Sequence, residues 1–183
     1  MSPAITPLGY ALLGLIRAEK RSGYALRKVF ETTLLGNYSS SPGSIYPALK
    51  SLEKAGLIAS EPIPRGSLFA ITPSGREALD AWLAAPVAGE SADILMLRFA
   101  FLQDLDRPDV TRGFLVAFAD AARVNLAGIR AFTTSDVWPV MPLQSRLAVD
   151  FGVRNVEAHI AWAENALTQL EAHWSQNAPQ TGG

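Results

Sequence analysis

The sequence contains no cysteine and only two histidines, His159 and His173. The absence of thiols excludes disulfide scaffolds, thiolate zinc sites and cysteine nucleophiles. On one helix the two histidines would lie about 21 Å apart at 1.5 Å per residue, so a single metal ion could not bind both. No apolar run approaches the roughly 20 residues that a membrane-spanning helix needs.

Sequence patterns of catalytic sites are missing as well. There is no Gly-x-Ser-x-Gly elbow, no glycine-rich phosphate-binding loop and no carboxylate–histidine spacing suited to a metal. We therefore predict that the protein is not an enzyme and uses no metal or other cofactor. Apolar residues make up 49% of the 183 residues and charged residues 18%, which is enough for a core and argues against disorder.

Charge is unevenly distributed along the chain, although the net charge is only −1. Residues 1–82 hold nine basic and six acidic residues, including all four lysines, whereas residues 83–183 hold seven basic and eleven acidic residues. A positive half and a negative half suggest two tasks, one of which faces an anion.

The first 85 residues predict three short helices, a hairpin and a fourth helix. Thr6-Pro7 and Thr72-Pro73 are helix-opening pairs, Ser22 caps the second helix, and Leu35-Gly36-Asn37 is expected to end it. The hairpin is predicted over residues 57–63 and 67–72, around Pro64-Arg65-Gly66.

The start of the third helix is ambiguous because Pro47 lies near it. If Ser41 is the N-cap, Pro47 falls in the second turn and removes a hydrogen bond; if Ser44 is the N-cap, Pro47 falls harmlessly in the first turn. Sequence alone leaves both starts open.

This element order is typical of a winged helix-turn-helix with a two-stranded wing, in which the third helix enters the major groove of DNA. Hydroxyls and free N–H groups near the start of such a helix can bind phosphate oxygens. The polar residues that suit this face or the loop before it are Ser40, Ser41, Ser44, Tyr46 and Lys50.

Residues 91–174 are predicted to be entirely helical, after a boundary at residues 86–90. The last helix, from about Leu143 to Trp174, has apolar residues that alternate spacings of four and three, which indicates packing along another helix. These residues are Val149, Val153, Val156, Ile160, Ala163, Leu167, Leu170 and Trp174.

Four stretches carry a family resemblance: LLGLI (12–16), SGYALRKVFE (22–31), SPGSIYPALKSLEKAGLI (41–58) and LFAITPSGREAL (68–79). Together they resemble the PadR family of bacterial transcriptional regulators, and residues 91–174 resemble the helical carboxy-terminal region of its longer members. The resemblance implies a cytoplasmic homodimer with a DNA-binding domain (1–85) and a helical dimerisation domain (91–174). It also implies, for some members, a small aromatic effector that releases DNA. One departure is the wing tip, where a single basic residue, Arg65, stands in place of a basic, glycine-rich tip.

We therefore predict a mainly α-helical, non-membrane repressor that binds a palindromic DNA operator. These assignments compete with simpler structural explanations. Tyr24 and Tyr46 could pack inside the domain. Trp138 and Trp162 are candidate effector contacts but could be ordinary core residues. The predicted DNA contacts are Tyr24, Arg27, Lys28, Ser40, Ser41, Ser44, Tyr46, Lys50 and Arg65. The predicted dimer contacts are Val149, Val153, Val156, Ile160, Ala163, Leu167 and Leu170.

Two rival functions remain open from the sequence. The winged helix could be a protein-interaction module without specific DNA binding, since a charge excess of three is modest. Alternatively, the protein could be a constitutive dimer that responds to no effector.

Overall fold

The computed structural model describes residues 5–33, 35, 42–64, 66–102 and 107–177. The chain forms two compact units: residues 1–85 with 90–106, and residues 86–89 with 107–183. Among the described helices, none is both long enough and apolar enough to cross a bilayer.

The first unit is a winged helix-turn-helix followed by one further helix. Its helices are α1 (Pro7–Ala18), α2 (Gly23–Thr32), α3 (Ile45–Lys54), α4 (Pro73–Leu83) and α5 (Ala92–Leu102), and its strands are β1 (Arg21–Ser22), β2 (Ile58–Ile63) and β3 (Gly66–Ile71). The predicted caps form: Thr6 accepts a hydrogen bond from Gly9 N at 3.1 Å, and Thr72 accepts one from Gly75 N at 3.1 Å. The predicted winged helix with helical remainder is confirmed.

The sheet has three antiparallel strands in the order β1-β3-β2, one more than the predicted wing. In the hairpin Ile58 pairs with Ile71 and Pro62 with Ser67, while Arg21 of β1 pairs with Phe69 on the other side of β3. Because β2 is an edge strand, Pro62 is tolerated there. A strand of two residues has no periodic pattern, so the sequence could not predict β1.

The core of the first unit is mainly aliphatic and draws on every helix and on β2. α1 contributes a continuous buried face because its apolar residues recur every three or four positions. The fully buried aliphatic side chains are Leu12, Leu13, Ile16, Leu26, Ile45, Leu49, Ile58, Leu79, Leu83, Leu97 and Leu102.

Two helix ends resolve or correct the sequence predictions. A 3-10 turn at Pro42–Ser44 leads into α3, so Ser44 occupies the N-cap position and Pro47 lies in the first helical turn. There its missing N–H costs no intrahelical bond. α2 ends at Thr32, before the predicted Leu35–Asn37 stop, as the Thr33 backbone becomes extended and the Thr33 hydroxyl donates to Val29 O at 2.8 Å. Residues 36–37 lie outside the described part of the chain.

α5 packs in the first unit, on α1 and α4, although the predicted domain boundary at residues 86–90 assigns it to the second domain. Its Arg98 is completely buried and donates to Leu83 O at 3.2 Å and to Ala85 O. Glu90 lies 3.5 Å from the same guanidinium. Burial lowers the pKa of Arg98 from its ordinary value, and the Glu90 carboxylate opposes that shift.

The second unit is a pair of long helices, α6 (Pro108–Thr133) and α7 (Leu143–Asn177), joined by a turn with a 3-10 segment at Trp138–Val140. The heptad stripe of α7 packs against α6 of the same chain. Within the stripe, Val156 is 8% exposed and Ala163 is 1% exposed, so neither has appreciable surface left for a second copy. The other predicted dimer contacts, Val149, Val153, Ile160, Leu167 and Leu170, are half-buried, so dimerisation through this stripe stays a prediction.

Candidate nucleic-acid interface

The helices α2 and α3 approach each other closely at a glycine and a tyrosine. A Cβ atom added to Gly23, the first residue of α2, would lie 2.7 Å from Cε1 of Tyr46 on α3. Only glycine leaves room for the ring at that spacing, so Gly23 sets where Tyr46 lies. Tyr46 nevertheless stays 51% exposed. One edge of the Tyr46 ring therefore packs against the start of α2 while the rest faces solvent, and DNA contact by Tyr46 stays a prediction.

The exposed face of α3 carries unpaired cations. Lys50 and Lys54 follow Tyr46 at successive four-residue steps, and both are exposed. No carboxylate lies within ion-pair distance of either lysine among the described residues. The nearby Glu53 carboxylate instead accepts a hydrogen bond from the Ser60 hydroxyl on β2. This face therefore offers positive charge that nothing in the described chain neutralises.

The exposed face of α2 carries one unpaired and one paired cation. Tyr24 is 64% exposed and Lys28, one turn further on, is also exposed and unpaired among the described residues. Arg27, by contrast, lies 3.1 Å from Glu31 and 5.8 Å above the Tyr24 ring. Its charge is thus partly compensated, whereas that of Lys28 is not.

Most other cations of this unit are paired with carboxylates. Lys20 lies 2.7 Å from Glu61 on β2, and Arg21 lies 2.6 Å from Glu19. The half-buried Arg17 lies 2.7 Å from Asp80. Among the described residues of residues 1–82, the cations without a carboxylate partner are Lys28, Lys50, Lys54 and Arg76. Three of these four lie on α2 and α3, so the modest charge excess is concentrated at the helix-turn-helix.

Some predicted site residues cannot be placed. Ser40, Ser41 and Arg65 lie outside the described residues. Ser44 is half-buried at the start of α3, and its side chain does not cap that helix. The DNA contacts therefore stay predictions. The structure places Tyr24 and Lys28 at exposed positions on α2, and Tyr46 and Lys50 at exposed positions on α3.

The two candidate effector tryptophans both pack edge-on against a phenylalanine. Trp162 meets Phe118 with ring centroids 5.6 Å apart, and Trp138 meets Phe132 with centroids 6.1 Å apart. Each tryptophan is half-buried. Their role as effector contacts stays a prediction, and each has a packing role that explains its presence without a ligand.

Sequence reasoning missed the close approach of Gly23 and Tyr46. A signal was present: a glycine at the first position of an already capped helix weakens that helix, and it needs a reason. The pairing of Lys20 with Glu61 could not be foreseen, because it joins residues far apart in sequence across the β1-β3-β2 sheet.

Comparison with known proteins agrees with the motifs. Residues 12–81 match the model of the transcriptional regulator PadR-like family. Over 111 residues the chain is 32% identical to the negative transcriptional regulator PadR of Bacillus subtilis (strain 168); this stretch covers 57% of the chain and 61% of that protein. The family resemblance predicted from the motifs is thereby confirmed for residues 12–81.

Two solved structures of Bacillus subtilis PadR also resemble the chain. The structure in complex with p-coumaric acid has a TM-score of 0.42 and 22% identity, over 93% of this chain and 99% of that one. The structure in complex with operator DNA has a TM-score of 0.41 and 24% identity, over 88% of this chain and 98% of that one.

Proposed function

We propose that this chain, whose residues 12–81 form a PadR-like domain, is a cytoplasmic, non-catalytic transcriptional repressor that binds palindromic operator DNA as a homodimer. The observation that carries the proposal is the uncovered face of α3, where the exposed Tyr46 and Lys50 lack any intramolecular charge partner among the described residues. A helix that presents such a face from a helix-turn-helix is suited to the major groove, which is about 12 Å wide.

Each exposed side chain has a role that follows from its chemistry. Lys50 donates to phosphate or to a guanine edge, and Lys28 donates to phosphate. Tyr24 and Tyr46 can donate their hydroxyls to phosphate, and the Tyr46 ring, fixed over Gly23, can contact a base edge. Ser40, Ser41, Ser44 and Arg65 complete the predicted contact set. Arg27 serves chiefly to orient Tyr24, because Glu31 already engages its guanidinium.

Two copies are needed for useful affinity. One winged helix of this chain offers few unpaired cations, and each of them neutralises only one phosphate charge. A symmetric pair doubles that number and reads two half-sites, one or more helical turns apart, each turn about 34–36 Å. This symmetry is the reason for a palindromic operator.

The proposal includes a small aromatic effector that weakens DNA binding, with Trp138 and Trp162 as candidate contacts. p-Coumaric acid, the compound bound to the Bacillus subtilis protein, is the first compound to test. An effector that contacts Trp138 or Trp162 should change tryptophan fluorescence, and because binding at two sites is reciprocally linked it should also lower operator affinity. A ligand that changes fluorescence alone is not an inducer, and a constitutive dimer shows neither change.

The proposal is tested by a gel shift of the full chain on the DNA upstream of its own gene, with a salt series. A retarded band that resists excess unrelated DNA supports the regulator. Equal binding to specific and unrelated DNA, or no binding at low salt, contradicts it and favours the protein-interaction module.

A further inference from the structure

The wing, which is the hairpin of β2 and β3, follows the carboxy-terminal end of α3 through a tight turn. Leu57 N donates to Leu52 O at 3.0 Å, and the Thr72 hydroxyl donates to Gly56 O at 2.7 Å. These hydrogen bonds fix only the base of the wing. Each strand has six residues and therefore extends about 20 Å, so contacts further along the hairpin determine its angle to α3.

Two side-chain contacts hold β2 beyond this base, one on each face of the sheet. Ser60 and Glu61 are consecutive in β2, and consecutive side chains of a strand point to opposite faces. The Ser60 hydroxyl donates to the Glu53 carboxylate on α3, whereas Glu61 lies 2.7 Å from Lys20, which precedes β1. Of these two contacts, only that of Ser60 joins the wing to α3.

Glu53 lies on the face of α3 whose other charges are positive. At 3.6 residues per turn, the exposed residues that fall within an arc of roughly 100° are Tyr46, Lys50, Glu53 and Lys54. A carboxylate on this face opposes DNA, because it repels the phosphates that the lysines attract. Its contact with Ser60 gives it a different task, since a hydroxyl that donates to a carboxylate forms a charge-assisted hydrogen bond, which is stronger than a neutral one.

We propose that Glu53 is a positioning residue that sets the angle between the wing and α3 through Ser60, and thereby determines how strongly operator DNA is preferred over unrelated DNA. This inference rests on the operator binding of the proposed function. Sequence is read by contacts to base edges, which need the protein to lie in one register on the duplex, whereas attraction to phosphates carries no sequence information. A displaced wing therefore weakens specific binding and spares non-specific binding.

The charge of Glu53 and its positioning role make opposite predictions for Glu53→Ala. If only the charge matters, removing it raises the affinity for operator and for unrelated DNA by the same factor. If Glu53 positions the wing, the affinity for unrelated DNA still rises, but the affinity for the operator falls. The ratio of the two affinities, which we call the specificity ratio, separates the two roles.

The test uses the full chain and the variants Glu53→Ala, Ser60→Ala and Glu53→Gln. The matched control is Glu77→Ala, which removes an exposed carboxylate of α4 in the same unit. Fluorescence anisotropy at one salt concentration measures the dissociation constants for the operator and for a scrambled duplex of equal length. Thermal melting by circular dichroism checks the fold, and if Glu53→Ala melts early, Ser60→Ala, which removes only a hydroxyl from an exposed residue, decides the outcome.

We expect the specificity ratio to fall on the order of tenfold in Glu53→Ala and in Ser60→Ala, which corresponds to about one base contact. The double variant should fall no further than either single variant, because both remove the same interaction. Glu53→Gln keeps an oxygen that can accept from Ser60, so it should retain most of the ratio. Glu77→Ala should retain all of it.

An unchanged specificity ratio in Ser60→Ala, when the wild type prefers its operator, overturns the inference and leaves the proposed function intact. A double variant that is worse than either single variant also overturns it, since the two residues then act separately. A wild type that binds both duplexes equally contradicts the proposed function itself, and the inference with it.

Discussion

Neutralising Lys50 gives the sharpest test of the DNA face, because its effect can be predicted as a number. Lys50→Gln keeps an unbranched polar side chain but removes a charge that has no carboxylate partner among the described residues. If Lys28, Lys50 and the predicted Arg65 contact phosphate in each copy, a dimer neutralises roughly six phosphates. The logarithm of the binding constant should then fall against the logarithm of salt with a slope of about −5.4.

In Lys50→Gln two of those contacts disappear from the dimer, and the slope should become about −3.6. Between 50 and 200 mM salt, the affinity of the wild type should therefore fall roughly 2,000-fold and that of the variant only roughly 150-fold. The assay is fluorescence anisotropy on the operator at several salt concentrations.

The control for this test is Arg76→Gln, which removes an exposed and unpaired cation of the same unit that lies on α4 and not on α2 or α3. Its slope should match that of the wild type, and the melting temperatures of all three proteins should agree. An unchanged slope in Lys50→Gln, or an equal decrease in Arg76→Gln, refutes the assignment of α3 as the reading helix.

Three further predictions follow from contacts within the units. Gly23→Ala should push the half-exposed ring of Tyr46 aside and weaken operator affinity about tenfold, the lower end of the roughly 1–3 kcal/mol of one base contact, with little change in melting temperature. Arg98→Met should lower the free energy of unfolding by roughly 2–4 kcal/mol in urea titration, because it leaves the carbonyls of Leu83 and Ala85 without their donor; a loss below about 0.5 kcal/mol would contradict that role. Ala163→Glu should lower the free energy of unfolding by roughly 3–5 kcal/mol, because it places a charge between α6 and α7. Circular dichroism should then show a loss of helix, and a fully folded variant would contradict the packing of α6 on α7 at this position.

The sequence predicted the elements whose signals are local. The Thr6-Pro7 and Thr72-Pro73 pairs opened helices where expected, because a capping hydroxyl and a proline at the first position act within a single turn. The face of α3 that carries Tyr46 and Lys50 could also be predicted from the sequence, since its residues recur at helical spacing. The start of α3 needed the structure, because both serines could cap and only packing chooses between them.

Features that depend on distant residues were missed. The partner of the heptad stripe could not be read from its period, because a repeat of 3.5 residues specifies that a helix packs but not whether the partner belongs to the same chain. The neutralisation of Lys20 likewise depends on Glu61, a carboxylate that only the fold brings near, whereas the partners of Arg27 and Arg21 are close in sequence. Counting charges along the chain therefore overestimated the number of cations available to DNA.

The packing of α5 changes where the chain can be cut. A fragment that stops at residue 85 would strip Leu97, Phe101 and Leu102 from α1 and α4 and leave their apolar surfaces in water. Domain swaps between regulators of this kind should therefore join after residue 106, since the transferable module is the winged helix together with the helix that seals it.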